Sequence, residues 1–263
     1  MTAAIGEWTP VELSTEEFEV CWRVLELGEL PHALDLPSPG RTWAERETLV
    51  KSTLDSLAAR GLADRRGVHP DLAGQLAGLA RFSWAVDARL HTERRLRAWG
   101  AVSGASAVLA VIDDEEHSVV TRTLPEPALC TELVGLLPPA EAPRWDSVSL
   151  ESSTLDEAVA EAAQERTGDV GVLADVLTRR GVRPAQARAV ARMVDGAGWR
   201  GQFGVTVSGS TGTWRRARRV VGFHDVPAGR IMHLRRGGWV TLTPASARQL
   251  VAAIGELVAE TRD

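Results

Sequence analysis

Two stretches of this chain carry the same order of signals, and a fold that must be built twice from one pattern has few solutions. Around Leu57 the sequence reads Leu57-Ala58-Ala59-Arg60-Gly61-Leu62, and Pro70 then opens an apolar stretch with Leu72, Leu76 and Leu79. Around Leu177 it reads Leu177-Thr178-Arg179-Arg180-Gly181-Val182, and Pro184 opens a stretch with Ala187, Val190, Ala191 and Val194. Strand-like segments follow in both places. Each half then closes on a helix that a proline, Pro125 or Pro244, is expected to open. Gly61 and Gly181 are 120 residues apart and Pro125 and Pro244 are 119 apart, a near-constant offset that predicts a pseudo-two-fold molecule.

Local signals place the elements. Ser14 with Glu17, and Thr42 with Glu45, read as capping boxes that satisfy the first backbone donors of two helices. Phe18, Cys21, Trp22 and Leu25 fall on one helical face, and Leu49, Leu54 and Leu57 turn inward along the second helix. Gly61 supplies the left-handed residue that ends it. Phe82, Trp84, Val86, Ala88 and Leu90 alternate with polar residues, the period of a half-buried strand. One further strand is expected through Arg97 to Ile112, where the glycines and alanines also leave a helix open, and another over His117 to Leu124. In the second half an alanine-rich helix from about Ser153 to Arg166 is broken at Gly168 and Asp169. Phe203, Val205 and Val207 then alternate with Gln202, Thr206 and Ser208. Val221 and Phe223, Ile231 to Arg236 and Trp239 to Thr243 continue as strands, with Gly237-Gly238 as a hairpin signal.

Segregated helices and strands without βαβ alternation predict an α+β fold with a mainly antiparallel sheet. The linker at Ala140 to Asp146 is short. The halves, about 14–139 and 151–261, are therefore expected to share one sheet within a single domain over 1–263.

Composition narrows the function. The chain has 263 residues, a formal net charge of −5 and a pI near 5.8, which weighs against general nucleic-acid binding. Met1 to Ala4 lacks the basic start of a secretory signal. The most apolar stretch, Leu96 to Ile112, is interrupted too often to span a bilayer. Cys21 and Cys130 are isolated and sit among apolar residues. That pattern fits core packing in a reducing, cytoplasmic compartment.

Chemistry-bearing constellations are sparse. His224-Asp225 and His233 lie on different strands with no third ligand close in sequence, so they read as strand residues and no metal is expected. Neither cysteine has the setting of an activated thiolate. There is no nucleophile elbow, phosphate loop or dinucleotide fingerprint, so no catalytic residue and no cofactor is expected. Trp214 to Arg219 is the one dense basic run and reads as a charge-blunted edge strand. The helices around Gly61 are similar to a winged helix, the alternative being a DNA-binding regulator. The helix from Asp71 to Ala80 carries no Arg or Lys, which leaves it without phosphate or guanine contacts.

Several pieces together resemble the EspG family of type VII secretion chaperones from actinobacteria. In the first half these are Gly40-x-Thr42-x-x-Glu45-Arg46, Leu57-x-x-Arg60-Gly61-Leu62 and Val86-Asp87-x-Arg89. In the second they are Asp225-x-x-x-Gly229-Arg230 and Val240-x-Leu242-x-Pro244. Ile231 stands after Arg230 where the family often has Tyr. The resemblance spans roughly Leu13 to Leu257. It implies a pseudo-two-fold body with two helical bundles flanking the sheet. It also implies a non-enzymatic, cytoplasmic chaperone that keeps a secreted helical PE/PPE-like protein soluble for export, with no nucleic acid and no membrane insertion. A homodimer stays open. The family's docking region implies that a partner meets the second-half sheet near the helices between Asp169 and Asp195. Arg and Trp dominate interface hot spots, so the expected contacts are Trp199, Phe203, Arg216, Arg218, Arg230 and Trp239. Strand alternation predicts Arg216 and Arg218 on one face and Arg219 on the other.

Overall fold

The computed structural model describes residues 10–37, 40, 42–164, 170–209 and 213–263. Met1 to Ala4, and the break at Gly168 and Asp169, lie outside them. The first half runs β1 (Val11–Ser14), α1 (Thr15–Val24), α2 (Trp43–Ala59), a small hairpin of β2 (Ala63–Asp64) and β3 (Gly67–Val68), α3 (Pro70–Ala80), β4 (Trp84–His91), β5 (Arg95–Ser103), β6 (Ser106–Asp113), β7 (Ser118–Pro125) and α4 (Leu129–Val134). The second runs β8 (Val148–Glu151), α5 (Ser152–Gln164), α6 (Val170–Arg179), α7 (Pro184–Val194), β9 (Arg200–Ser208), β10 (Trp214–Arg216), β11 (Val221–Val226), β12 (Gly229–Arg236), β13 (Trp239–Pro244) and α8 (Ala247–Arg262).

Capping chemistry explains where the helices begin and end. The Ser14 N–H donates to the Glu17 carboxylate at 2.9 Å and the Glu17 N–H donates to Ser14 Oγ at 3.0 Å. Thr42 and Glu45 repeat the arrangement. Gly61 and Gly181 take φ of 75° and 86°, where a side chain would be strained. Leu62 N–H then donates to Leu57 O at 2.8 Å, and Val182 N–H to Leu177 O at 3.0 Å, the same closure in both halves. Pro70 and Pro184 are each the first residue of a helix.

The strands join in one eleven-stranded antiparallel sheet, ordered β1-β7-β6-β5-β4-β9-β11-β12-β13-β8, with β10 beside β9. The order reads alike from either edge, which is the pseudo-two-fold. β4 and β9 meet in the middle, paired from Trp84↔Val207 to His91↔Arg200. Spacing is less regular than order. Gly61 and Gly181 are 120 apart, Pro70 and Pro184 114, and the opening strands β1 and β8 137. Duplication survives in element order and capping, not in a constant offset.

Helices cover both faces. On one, α4 and α8 bring Leu129, Leu133, Leu250 and Ile254 against Trp84, Val86, Phe203 and Val205. On the other, α1–α3 form one bundle with Phe18, Trp22, Leu72 and Trp99 in its core, and α5–α7 form a second with Leu155, Val176, Val190 and Leu242.

Several expectations change. Trp84 to Ala88 are all buried, because β4 starts beneath helices on both faces and is not half-exposed. Phe82 precedes β4 and packs at 5.3 Å on Trp99, in the other core from Trp84. The single strand through Arg97 to Ile112 is a hairpin, β5 and β6, turning at Gly104 with φ of 63°. Pro125 and Pro244 end strands instead of opening helices, and Ser246 caps α8. β1 and β8 are further strands, each feeding directly into a helix. The basic run forms only the short β10, which ends at Arg216, so strand alternation does not extend to Arg218.

Candidate functional site

The register of the central strands builds a floor on the face that carries the two bundles. Arg89 lies opposite Gln202, Gln202 opposite Gly222, and Gly222 opposite His233. One row along, His91 lies opposite Arg200 and Arg200 opposite His224. Arg89 is exposed although it sits on a central strand, so the floor is uncovered there. Val194 and Ala197, at the end of α7, wall the cleft, whose cavity measures about 500 Å³.

Two imidazoles are built into this floor. His224 Nε2 lies 2.7 Å from Met193 O, and the His224 and His233 rings are 5.5 Å apart. A Cβ on Gly222 would fall 2.2 Å from the His233 ring, so glycine makes the bed on which that ring lies. Burial lowers the pKa of His224. Burial, then the neighbouring His224, pushes His233 down to about 4. Both rings are therefore neutral at neutral pH.

Asp87 stands beside Arg89 on the same face, fully buried. Arg216 of β10 grips it with both guanidinium nitrogens, Nη2 at 2.9 Å from Oδ2, and His32 approaches to 3.8 Å. Burial alone would raise this carboxyl. Hydrogen bonds from His32 and Arg216, with the Arg216 charge, outweigh it and hold the pKa below the ordinary value. Gly204 is required here, since a Cβ would meet Arg216 Nη2 at 2.3 Å. The trio ties the second-half hairpin to the first half.

The six expected contact residues do not converge. Phe203 is fully buried in the core beneath α4 and α8. Arg230 is 1% exposed. It is held by Asp225 at 2.7 and 2.8 Å and by Pro138 O at 2.9 Å, and lies 5.0 Å over the Phe223 ring. Trp239 is exposed near the β8 edge, on the sheet face away from the cleft. Trp199 is half-buried just before β9 and Arg218 is exposed beyond β10. Only Arg216 stands on the cleft's face, and it is engaged by Asp87. Sequence reading found His224, His233 and Arg89 as residues but not as neighbours, because their meeting depends on the β4–β9 register.

Other chemistry is quiet. Burial pushes the Cys21 thiol to about 12 and the Cys130 thiol to about 11, so neither is a thiolate at neutral pH. Among the described residues no three His, Cys, Asp or Glu side chains converge as a metal site would need. No described helix is long and apolar enough to cross a membrane. α3 is packed flat on the sheet through Leu72, Leu76 and Leu79, with Thr121 Oγ1 donating to Gln75 Oε1 at 2.7 Å.

The molecule is a pseudo-two-fold α+β body with an open cleft beside its central strands. The chain belongs to the EspG family, whose model matches residues 14–256. Its fold is similar to that of the Mycobacterium tuberculosis type VII secretion system chaperone EspG5, solved in complex with a PE25–PPE41 dimer. That match has a TM-score of 0.75, 16% identity and coverage of 96% of both chains. The full-length peroxisomal multifunctional enzyme type 2 from Drosophila melanogaster aligns at a TM-score of 0.13 and 13% identity, over 89% of this chain and 48% of that one, too low to indicate a shared fold. No curated protein matches the chain.

Proposed function

We propose that this chain is a cytoplasmic, non-enzymatic chaperone of type VII secretion that holds a secreted helical PE/PPE-like protein and keeps it soluble. Membership of the EspG family over 14–256 carries the reading. The uncovered cleft beside the end of α7 supports it as the docking place, since it offers apolar walls and unpaired polar floor groups to a helix tip. In this reading the chain acts as one domain over 1–263, with pseudo-repeats 14–139 and 151–261. It needs no cofactor, metal or nucleic acid and does not insert into membranes. Of the contacts expected from sequence, Arg216 borders the cleft through Asp87, and Trp199 leads into Arg200.

Co-expression tests the proposal. PE/PPE-like pairs from the same genome, insoluble alone, should become soluble and copurify with this chain. Failure of every pair to do so would end the reading.

A further inference from the structure

The cleft floor is basic in a chain that is acidic overall. Formal net charge is −5, yet every titratable side chain lining the cavity is an arginine or a histidine. The registers align them. His91, Arg200 and His224 follow one another across β4, β9 and β11, and Arg95 of β5 lies opposite His91. Arg89 lies opposite Arg97 on one side and Gln202 on the other. Like charges directly across a sheet destabilise it. Elsewhere such arginines are neutralised. Arg97 is held by Asp114 at 2.7 Å, Arg230 by Asp225 at 2.7 Å and Arg235 by Asp156. Among the described residues Arg89, Arg95 and Arg200 form no ion pair.

The walls beside these cations are apolar, from Val194 and Ala197 at the end of α7. An occupant that satisfies both features has an apolar body and carries carboxylates. Resting on the proposed chaperone reading, we infer that the cleft selects a helical protein tip that presents Asp or Glu side chains beside its apolar residues, with Arg89 and Arg200 as the carboxylate-binding pair. Arginine suits the task, since its planar fork takes a carboxylate through two parallel bonds. The occupant supplies the counter-charge that the row lacks. The arginines therefore contribute to binding and not to the fold.

The probe is the PE/PPE-like pair that copurifies with the wild-type chain. Its affinity is measured by calorimetry at two ionic strengths for wild type, Arg89→Gln, Arg200→Gln, the double variant, and Arg262→Gln on α8 at the opposite face. Each cleft variant should weaken binding roughly tenfold, the double variant about a hundredfold, and the salt dependence should become shallower. Arg262→Gln should bind as wild type. The melting temperature of Arg89→Gln should equal or exceed that of wild type, because Arg89 faces Arg97 directly across the strands. Binding by the double variant within about twofold of wild type overturns the inference and leaves the chaperone reading standing. A loss of affinity matched by a loss of melting temperature overturns it too. If no pair copurifies with wild type, the chaperone reading fails and this inference falls with it.

Discussion

α3 in the first half and α7 in the second hold the same place in chain order, yet they treat the sheet differently. α3 lies over β5 and β6, with Leu72, Leu76 and Leu79 fully buried. The Trp99 Nε1–H donates to Leu79 O at 3.2 Å, and Gly78 lets the helix settle on Val108, where a Cβ would fall at 2.8 Å. The segment before α2 adds Ala33, Leu34 and Leu36 to the same core. α7 instead packs on α6 and toward the edge strand β8. It touches the inner strands at its end, where Met193 O meets His224. The first copy thus closes its inner strands, whereas the second covers Val226 and Ile231 but leaves the stretch at His224 and His233 only partly covered. Displacing one copy of a covering helix outward opens a cleft on one half of a duplicated fold. The cost is a row of polar and basic groups with no cover.

The strongest challenge to this contrast is the core that both halves share beneath α4 and α8. Trp84→Ala and Phe203→Ala should each cost roughly 3–5 kcal/mol, one from each half. Calorimetry should show a single transition shifted down in both variants, since their side chains belong to one cluster. Two separate transitions in either variant would mean that the halves melt independently.

Acid should next distinguish the second-half histidines from the first-half Asp87. His233 is pushed down to about 4 and His224 is also lowered, whereas an unfolded histidine titrates near 6.5. The unfolded state therefore binds more protons as pH falls below about 6.5, and stability declines until His233 itself titrates in the folded state. The loss should reach about 3 kcal/mol across that window. Asp87 behaves differently. Its lowered pKa contributes stability above the ordinary carboxylate value, and that stability is lost only as pH falls through its folded pKa. The single thermal transition should fall between pH 7 and pH 4.5 through the histidine-linked loss, and His233→Gln should shrink that fall. An unchanged pH dependence in that variant would place the acid sensitivity elsewhere.

Arg216 and Arg218 sharpen the contrast at a single turn of chain. Arg216→Glu strands a fully buried Asp87 opposite a like charge. Because the Arg216 side chain is itself 37% exposed, solvent screening limits the loss to roughly 2 kcal/mol. Arg218→Glu changes an exposed residue beyond the strand and should stay within about 0.5 kcal/mol. Urea denaturation of the two variants side by side decides it. Equal losses would mean that the Asp87 contact does not hold the two halves together.

Where the chemistry is local, these features were legible in the sequence. Ser14-x-x-Glu17, Arg60-Gly61-Leu62 and Pro184 each act within a few residues, and each formed as expected. Phe203 and Val205 were readable as buried, but Gly204 and Thr206 between them are buried too, so β9, like β4, is covered on both faces. What the sequence hid is long-range. A strand covered on both faces, such as β4 from Trp84 to Ala88, does not follow the half-buried pattern. The four-residue strands β1 and β8 are too short to show a period. The expected contact residues fail to converge for the same reason. Arg230 and Phe203 looked like contact residues by type, but only the fold puts Asp225 on one and α8 over the other. The cleft residues Arg89, Arg200 and His224 come from three strands, and nothing local marks that β4 pairs with β9.

The smallest expected effect tests which side of the second half matters. Trp239 is 52% exposed and lies on the face opposite the cleft, opposite Arg236 on β12 and Glu151 on β8. An exposed tryptophan on a sheet is a strong interface side chain by type. Here it stands away from the uncovered floor. Trp239→Ser removes apolar surface that is already half in water, so the melting temperature should move by no more than about 2 °C. Binding of the copurifying PE/PPE-like pair should be unchanged within about twofold, while Arg200→Gln weakens it roughly tenfold. If Trp239→Ser instead weakens binding tenfold and Arg200→Gln leaves it intact, the partner engages the outer face. The displacement of α7 would then have nothing to do with recognition.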